Sequence, residues 1–154
     1  MRTTFQFTDG WKFHRGDLNE TNYRAIHANR FKRAEWMKAG NHGISRVGYP
    51  DQAWHEVHLP HDFVVAGEYT PTANAVHGSL PTDVGWYRKT FELPAEIRHQ
   101  RIHLEFDGIY RDATIWVNGH LAGSHLSGYT SFSLDVTELC DPNECNAIAV
   151  RCDA

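Results

Sequence analysis

Several features that would point directly to a function class are missing from this sequence. Its 154 residues contain no apolar run near the ~18 residues of a membrane span. A formal net charge of −4 provides no basic surface for nucleic acid or an anionic membrane. The phosphate-binding patterns G-x-G-x-x-G and G-x-x-x-x-G-K and the nucleophile turn G-x-S-x-G are absent. The sequence therefore predicts no membrane, nucleic-acid or nucleotide-phosphate partner.

Cysteine is scarce, and its pattern argues against a disulfide framework. The three cysteines, Cys140, Cys145 and Cys152, form no C-x-x-C pair. Their odd number favours reduced thiols, as does a start, MRTTFQFTDGW, that lacks a basic-then-apolar leader. The sequence therefore predicts a cytoplasmic protein.

Aromatic residues and histidines, by contrast, are abundant. The chain has five Trp, six Tyr and eleven His. Flat rings with polar tips can stack on the C–H faces of sugars, and they also fill the cores of β-sandwiches. Composition is compatible with both uses, so the choice stays open at this point.

The second half of the chain has the pattern of an all-β domain. Ile102, Leu104 and Phe106 alternate with polar residues, which is typical of a half-buried strand. Asn118-Gly119, between two apolar stretches, predicts a tight hairpin. Strand-like segments recur at short intervals with no helix-length amphipathic segment between them, which favours a sandwich or jelly roll. They cover residues 86–93, 101–110, 112–125, 129–136 and 146–152.

The first half is less regular. Residues 10–17 predict a first strand that ends at Gly16, and residues 19–43 fit either a surface helix or an ordered loop. Residues 66–85 hold two prolines and no periodicity. A loop of about twenty residues is unusual in a compact domain and is commonly functional.

The stretch WHEVHLPHDF, residues 54–63, resembles the zinc-protease pattern H-E-x-x-H but does not match its spacing. We interpret it as a short strand, Trp54–Leu59, that ends at Pro60. Residues three apart on a strand point to opposite faces, so His55 and His58 cannot share a metal ion. We therefore expect no metal site here. Asp62 is placed to accept hydrogen bonds from the following turn, with His61 against it.

Five blocks taken together resemble the N-terminal sugar-binding domain of glycoside hydrolase family 2, whose best-known members are β-galactosidases. They are GWKFHRGD at 10–17, WHEVHLPHDF at 54–63, VGWYRKTFELP at 84–94, the long block at 106–140 and NAIAVRCDA at 146–154. The resemblance covers nearly the whole chain, apart from residues 18–50. It implies an all-β jelly-roll β-sandwich of the galactose-binding type. A short helix in the N-terminal third stays possible from the spacing within residues 19–43.

The resemblance also implies a larger parent enzyme. In that family an immunoglobulin-like domain and a (β/α)8 barrel follow this domain, and the barrel carries both catalytic glutamates of a retaining mechanism. Residues 1–154 would then be a single domain and a fragment with no catalytic residue, no metal and no cofactor of its own, inactive alone. The expected partners are a terminal β-galactoside and the downstream domains. Self-association through uncovered surfaces is also expected.

The loop at 66–85 matches the family segment that reaches toward the catalytic site. Its candidate substrate-binding residues are Asn74, His77, Asp83, Tyr69 and Trp86. Asn74 can donate and accept hydrogen bonds, His77 can donate and Asp83 can accept, while Tyr69 and Trp86 offer stacking faces. Structural roles compete with these: Asn74 as a turn residue, Asp83 as a loop cap and Trp86 as core.

Three functions remain open on the sequence. The first is the accessory domain of a family 2 exo-glycosidase of the β-galactosidase type, with β-glucuronidase and β-mannosidase on the same scaffold. The second is a free-standing carbohydrate-binding module with no hydrolase domain. The third is an interaction domain that does not bind sugar.

Overall fold

The structure is a computed structural model that describes residues 2–18, 43–73 and 80–154. These residues form no α-helix and three short 3₁₀ turns, Gly43–Ser45, Ala95–Ile97 and Thr137–Leu139. They also form eight strands, which we number in chain order: β1 Trp11–Arg15, β2 His55–Val57, β3 Val84–Phe91, β4 His103–Phe106, β5 Ala113–Val117, β6 His120–His125, β7 Phe132–Asp135 and β8 Asn146–Asp153. The predicted all-β class is confirmed. The helix or loop predicted for 19–43 lies almost entirely outside the described residues.

The strands form two antiparallel sheets. The larger has the order β2-β1-β3-β8-β5-β6, and the smaller pairs β4 with β7. The longest ladder joins β3 to β8 in the middle of the large sheet, from Val84 opposite Asp153 to Phe91 opposite Asn146. The last strand of the chain, β8, lies between β3 and β5. The centre of the fold therefore depends on contacts between distant parts of the chain.

The main hydrophobic core lies between the two sheets. The large sheet contributes apolar residues from all of its central strands, among them Phe13, Tyr87, Ile115 and Val150. The small sheet covers them with partly buried side chains at alternate positions, Leu104 and Phe106 of β4 and Phe132 and Leu134 of β7. This is the alternation expected for a sheet with one face on the core.

A second apolar cluster lies on the other face of the large sheet. It consists of Ile44, Trp86, Trp116 and Ala149, with Tyr49 and Trp54 packed against it. The indole rings of Trp86 and Trp116 stack with centroids 5.6 Å apart and planes 23° from parallel. Residues of the segment 43–54 cover this face, so the central strands are buried on both sides. This explains why β5 and nearly all of β8 are buried without alternation.

The predicted hairpin at Asn118-Gly119 is confirmed. Both residues have positive φ, 51° and 89°, which a type I′ turn requires. The Asn118 side chain also ties the hairpin to β8. Its Nδ2 donates to Asn146 Oδ1 at 2.7 Å, and its Oδ1 accepts from the Ala147 N–H at 2.9 Å.

The three cysteines are free thiols. Cys152 is buried on the core side of β8, and its Sγ lies 3.5 Å from the carbonyl oxygen of Gly85. Burial raises the pKa of the Cys152 thiol to about 11 and likewise raises the pKa of Cys140 to about 11. Both thiols are therefore protonated at neutral pH, so they are poor nucleophiles and serve as apolar packing residues.

Candidate functional site at the loop end of the sandwich

The loops at one end of the large sheet are joined by main-chain hydrogen bonds. The ladders place the end of β1, the start of β3, the end of β8 and the start of β5 at this end. Successive bonds run from Gly16 N to Val84 O at 2.8 Å, Ala154 N to Asp83 O at 3.2 Å, Asp153 N to Arg111 O at 2.9 Å and Asp112 N to Leu126 O at 3.4 Å. We define the loop end as residues 61–73, 80–83, 107–112 and 126–131.

Arg15, at the end of β1, contacts the second half of the loop at 66–85, which we call the long loop. Its Nη2 donates to the carbonyl oxygen of Pro81 at 3.2 Å, and its Nε lies 3.6 Å from Asp83 Oδ2. Its guanidinium carbon lies 5.7 Å from the centre of the Phe63 ring. The Asp83 side chain is 43% exposed, so this ion pair contributes little stability, but it fixes where the carboxylate lies.

Asp62 and His61 hold the segment that leads into the long loop. Asp62 Oδ1 accepts from the N–H groups of Val64 and Val65 at 2.9 and 3.0 Å, which confirms its predicted role in the turn. The Asp62 charge acts on His61, but the hydrogen bond of the His61 ring goes to a different residue. His61 Nδ1 is hydrogen-bonded to the Tyr87 hydroxyl at 2.8 Å, and its ring packs on Phe13. Burial lowers the pKa of His61, against an opposing effect of the Asp62 charge.

Trp86 lies in the core and not in the loop. Its side chain has no exposed surface, because it stacks on Trp116 in the second apolar cluster. Its Nε1 donates to Asp17 Oδ1 at 3.1 Å, and Asp17 also pairs with Arg151 at 3.1 Å. Burial alone would raise the pKa of Asp17, but these hydrogen bonds outweigh it and lower the pKa. The stacking role suggested for Trp86 is therefore incompatible with its position, and the structural role fits.

Of the other four predicted site residues, the structure describes two, Tyr69 and Asp83. Tyr69 is 76% exposed, and Asp83 lies near the C-terminal end of the long loop, beside Arg15. Asn74 and His77 lie outside the described residues. The described parts of the loop do contact each other, since a side chain added at Gly67 would meet the Pro81 ring at 3.8 Å. Tyr69 and Asp83 therefore belong to one connected segment.

Two residues of the loop end were not predicted as site residues. Tyr110 and Tyr129 are 39% and 86% exposed, and their rings meet edge to face with centroids 5.6 Å apart. The sequence predicts a strand-like segment at 129–136, whereas β7 begins only at Phe132. A tyrosine directly after a glycine, before the alternation is established, is the signal that could have marked Tyr129 as a loop residue.

The histidine-rich stretch forms a strand, as predicted, with β2 at His55–Val57. His55 and Glu56 are exposed, and His58 Nε2 lies 3.0 Å from Asp9 Oδ1. Within residues 2–18, 43–73 and 80–154, no three His, Cys, Asp or Glu side chains are arranged to hold a metal ion. The same residues contain no helix long and apolar enough to span a bilayer.

Comparison with known proteins identifies the family of this chain. Residues 78–154, half of the chain, match the family described as glycosyl hydrolase 2 galactose-binding domain-like. The chain belongs to this family. Membership confirms both the motif-based resemblance and the predicted jelly-roll fold of the galactose-binding type.

Relatives of this glycosyl hydrolase 2 domain are much longer proteins. The chain is 35% identical over 124 residues to a β-galactosidase of Bacteroides ovatus, an alignment that covers 78% of this chain and 15% of the relative. It is 32% identical to the solved structure of a β-glycosidase from Bacteroides vulgatus, with a TM-score of 0.75 over 96% of this chain and 16% of the other. A β-glucuronidase structure from Bacteroides uniformis gives 25% identity and a TM-score of 0.74 over 99% of this chain and 15% of the other. The chain thus spans about one sixth of the length of these relatives.

Proposed function

We propose that this chain is the non-catalytic sugar-binding domain of a family 2 exo-glycosidase of the β-galactosidase type. The observation that carries the proposal is the 35% identity to a β-galactosidase of which the chain covers only 15%. Such a parent would hydrolyse terminal β-D-galactosides with retention, using two glutamates that lie outside these 154 residues. The domain alone would hydrolyse nothing.

The loop end would contribute binding and orientation. Asp83 is held by Arg15 and by the Val84 N–H, which donates to Asp83 Oδ1 at 2.8 Å. A fixed, partly exposed carboxylate can accept a hydrogen bond from a sugar hydroxyl without first losing side-chain freedom. With Asn74 and His77 on the same loop, it would hold the terminal sugar while its glycosidic bond lies between the two carboxyl groups of the barrel.

The choice of galactose over glucuronic acid rests on the relatives. The β-galactosidase of Bacteroides ovatus is 35% identical to this chain over 124 residues, slightly more than the 31% over 112 residues of a putative β-glucuronidase of Formosa agariphila. A glucuronidase must bind an additional carboxylate, for which a positively charged contact is expected. Near the C-terminal end of the long loop, the guanidinium of Arg15 is paired with Asp83, so it is less suited to bind the carboxylate of a glucuronide.

Hydrolysis kinetics of the complete gene product test this proposal. We expect kcat/KM for p-nitrophenyl β-D-galactoside to exceed the values for the β-D-glucuronide and β-D-mannoside at least about a hundredfold, because hydroxyl-binding sites discriminate strongly. The isolated 154-residue chain is the matched control and should release no nitrophenol. A preference for the glucuronide would contradict the galactosidase type alone. Failure on all three glycosides would contradict the glycosidase proposal and favour a free-standing carbohydrate-binding module.

A further inference from the structure

Two neighbouring loops carry three of the seven large hydrophobic side chains that are exposed among the described residues. The three are Tyr110, Leu126 and Tyr129. Their loops, 107–112 and 126–131, are joined by the bond from Asp112 N to Leu126 O. Exposed apolar side chains that gather at one place mark a binding surface more often than scattered ones do.

The two tyrosines form a surface that is already ordered. Tyr110 lies directly on the main chain of Gly128, where an added Cβ would come within 2.2 Å of Tyr110 Cδ2. Tyr129 stands beside it with its ring plane turned by 68°, and its N–H donates to Ser127 Oγ at 3.3 Å. Only glycine allows the Tyr110 ring to approach so closely. The pair therefore offers an open tyrosine ring on a fixed support.

We propose that Tyr110 and Tyr129 form the stacking surface of a second sugar subsite, which binds one pyranose ring of a β-linked oligosaccharide. The inference rests on the proposed function, which places the terminal sugar at the long loop of the same loop end. Tyr129 presents its ring to the apolar C–H face of the sugar. The hydroxyl groups of Ser127 and Thr130 border the ring in the sequence and can bind the sugar's hydroxyl groups.

A sugar fits this surface better than a protein does. Two fully covered tyrosines account for at most roughly 500 Å², less than the ~800 Å² that each partner contributes to a standard protein interface. The neighbours of Tyr129 in the loop are small and polar, Ser127, Thr130 and Ser131. Ligand sites combine a few aromatic faces with a few polar groups in this way.

Sugar titrations of the 154-residue chain, followed by calorimetry or NMR, test the subsite. The probes are galactose and the tetrasaccharide of β-1,4-linked galactose. The variants are Tyr129→Ala, Tyr129→Phe as the conservative change, and Phe5→Ala as a control at an exposed aromatic residue outside the loop end. We expect Tyr129→Ala to weaken tetrasaccharide binding about fivefold to tenfold, with Tyr129→Phe and Phe5→Ala close to wild type. Galactose binding should be unchanged in Tyr129→Ala.

Three results would overturn the subsite. They are no tetrasaccharide binding by the wild-type chain, equal losses in Tyr129→Ala and Phe5→Ala, or an effect of Tyr129→Ala on self-association without an effect on sugar binding. The last would assign the pair to a protein contact. Because a nitrophenyl galactoside contains one sugar, the hydrolysis test does not engage this subsite. Failure of the subsite and failure of the proposed function are therefore distinguishable.

Discussion

Replacing Arg88 with methionine should destabilise the fold by about 3–5 kcal/mol, a large part of the stability of a typical domain. The Arg88 side chain is 2% exposed and is paired with Asp51. Its Nε donates to Ile44 O at 2.9 Å, and its Nη2 donates to Arg46 O and Val47 O at 2.6 and 3.1 Å. Methionine fills the space but leaves a carboxylate and these carbonyl groups without their donor.

Urea unfolding followed by tryptophan fluorescence measures this loss. Arg101→Met is the matched control, because Arg101 also pairs with an aspartate, Asp135 at 3.1 Å, but is 82% exposed. It should cost less than about 1 kcal/mol. Arg88→Lys keeps the charge without the planar fork and should fall between the two, which keeps the comparison usable if Arg88→Met does not fold. Equal losses for Arg88→Met and Arg101→Met would show that Arg88 does not hold the segment 43–51 in place.

Replacing Gly85 with alanine should cost about 2–3 kcal/mol through overpacking. A Cβ at Gly85 would lie 2.7 Å from Phe63 Cε1, 3.1 Å from Phe13 Cε2 and 3.2 Å from Cys152 Sγ. These neighbours are packed in the main core and cannot all move aside. Phe63 belongs to the loop end and lies just before the long loop, so we also expect these residues to shift.

Gly48→Ala is the control for Gly85→Ala, since an added Cβ there meets nothing within 4 Å. It should change the free energy of unfolding by no more than about 0.5 kcal/mol. Thermal unfolding by circular dichroism compares the two variants with wild type. If Gly85→Ala unfolds at the same temperature as Gly48→Ala, the close packing of Phe63 on β3 is not present in solution.

Most of the strands could be predicted from the sequence because their cause is local. Leu104 and Phe106 of β4 alternate with exposed neighbours, so period two marks the strand. Asn118 and Gly119 adopt positive φ more readily than most other residues, so these two residues alone predict the hairpin turn. The turn at Asp62 is equally local, since its acceptor and donors lie within three residues.

What could not be predicted depends on contacts between distant parts of the chain. A core role for Trp86 was one of its two predicted roles, but the alternation in β3 does not reveal that the segment 43–54 covers the second face of the sheet. His61 bonds to Tyr87, 26 residues away, instead of its neighbour Asp62. Tyr110 and Tyr129 meet only because the 107–112 and 126–131 loops end at the same side of the sandwich. The fold class was therefore accessible from local patterns, while the composition of the site was not.

We propose that this domain serves a catalytic barrel encoded in the same gene, and sequencing the gene beyond the codon for Ala154 tests this proposal. We expect the open reading frame to continue for several hundred residues, with βα repeats and two glutamates at strand ends. The complete gene product should then hydrolyse galactosides, and we expect the 154-residue chain not to do so. A stop codon within a few residues of Ala154 would overturn the proposal and favour a free-standing binding module.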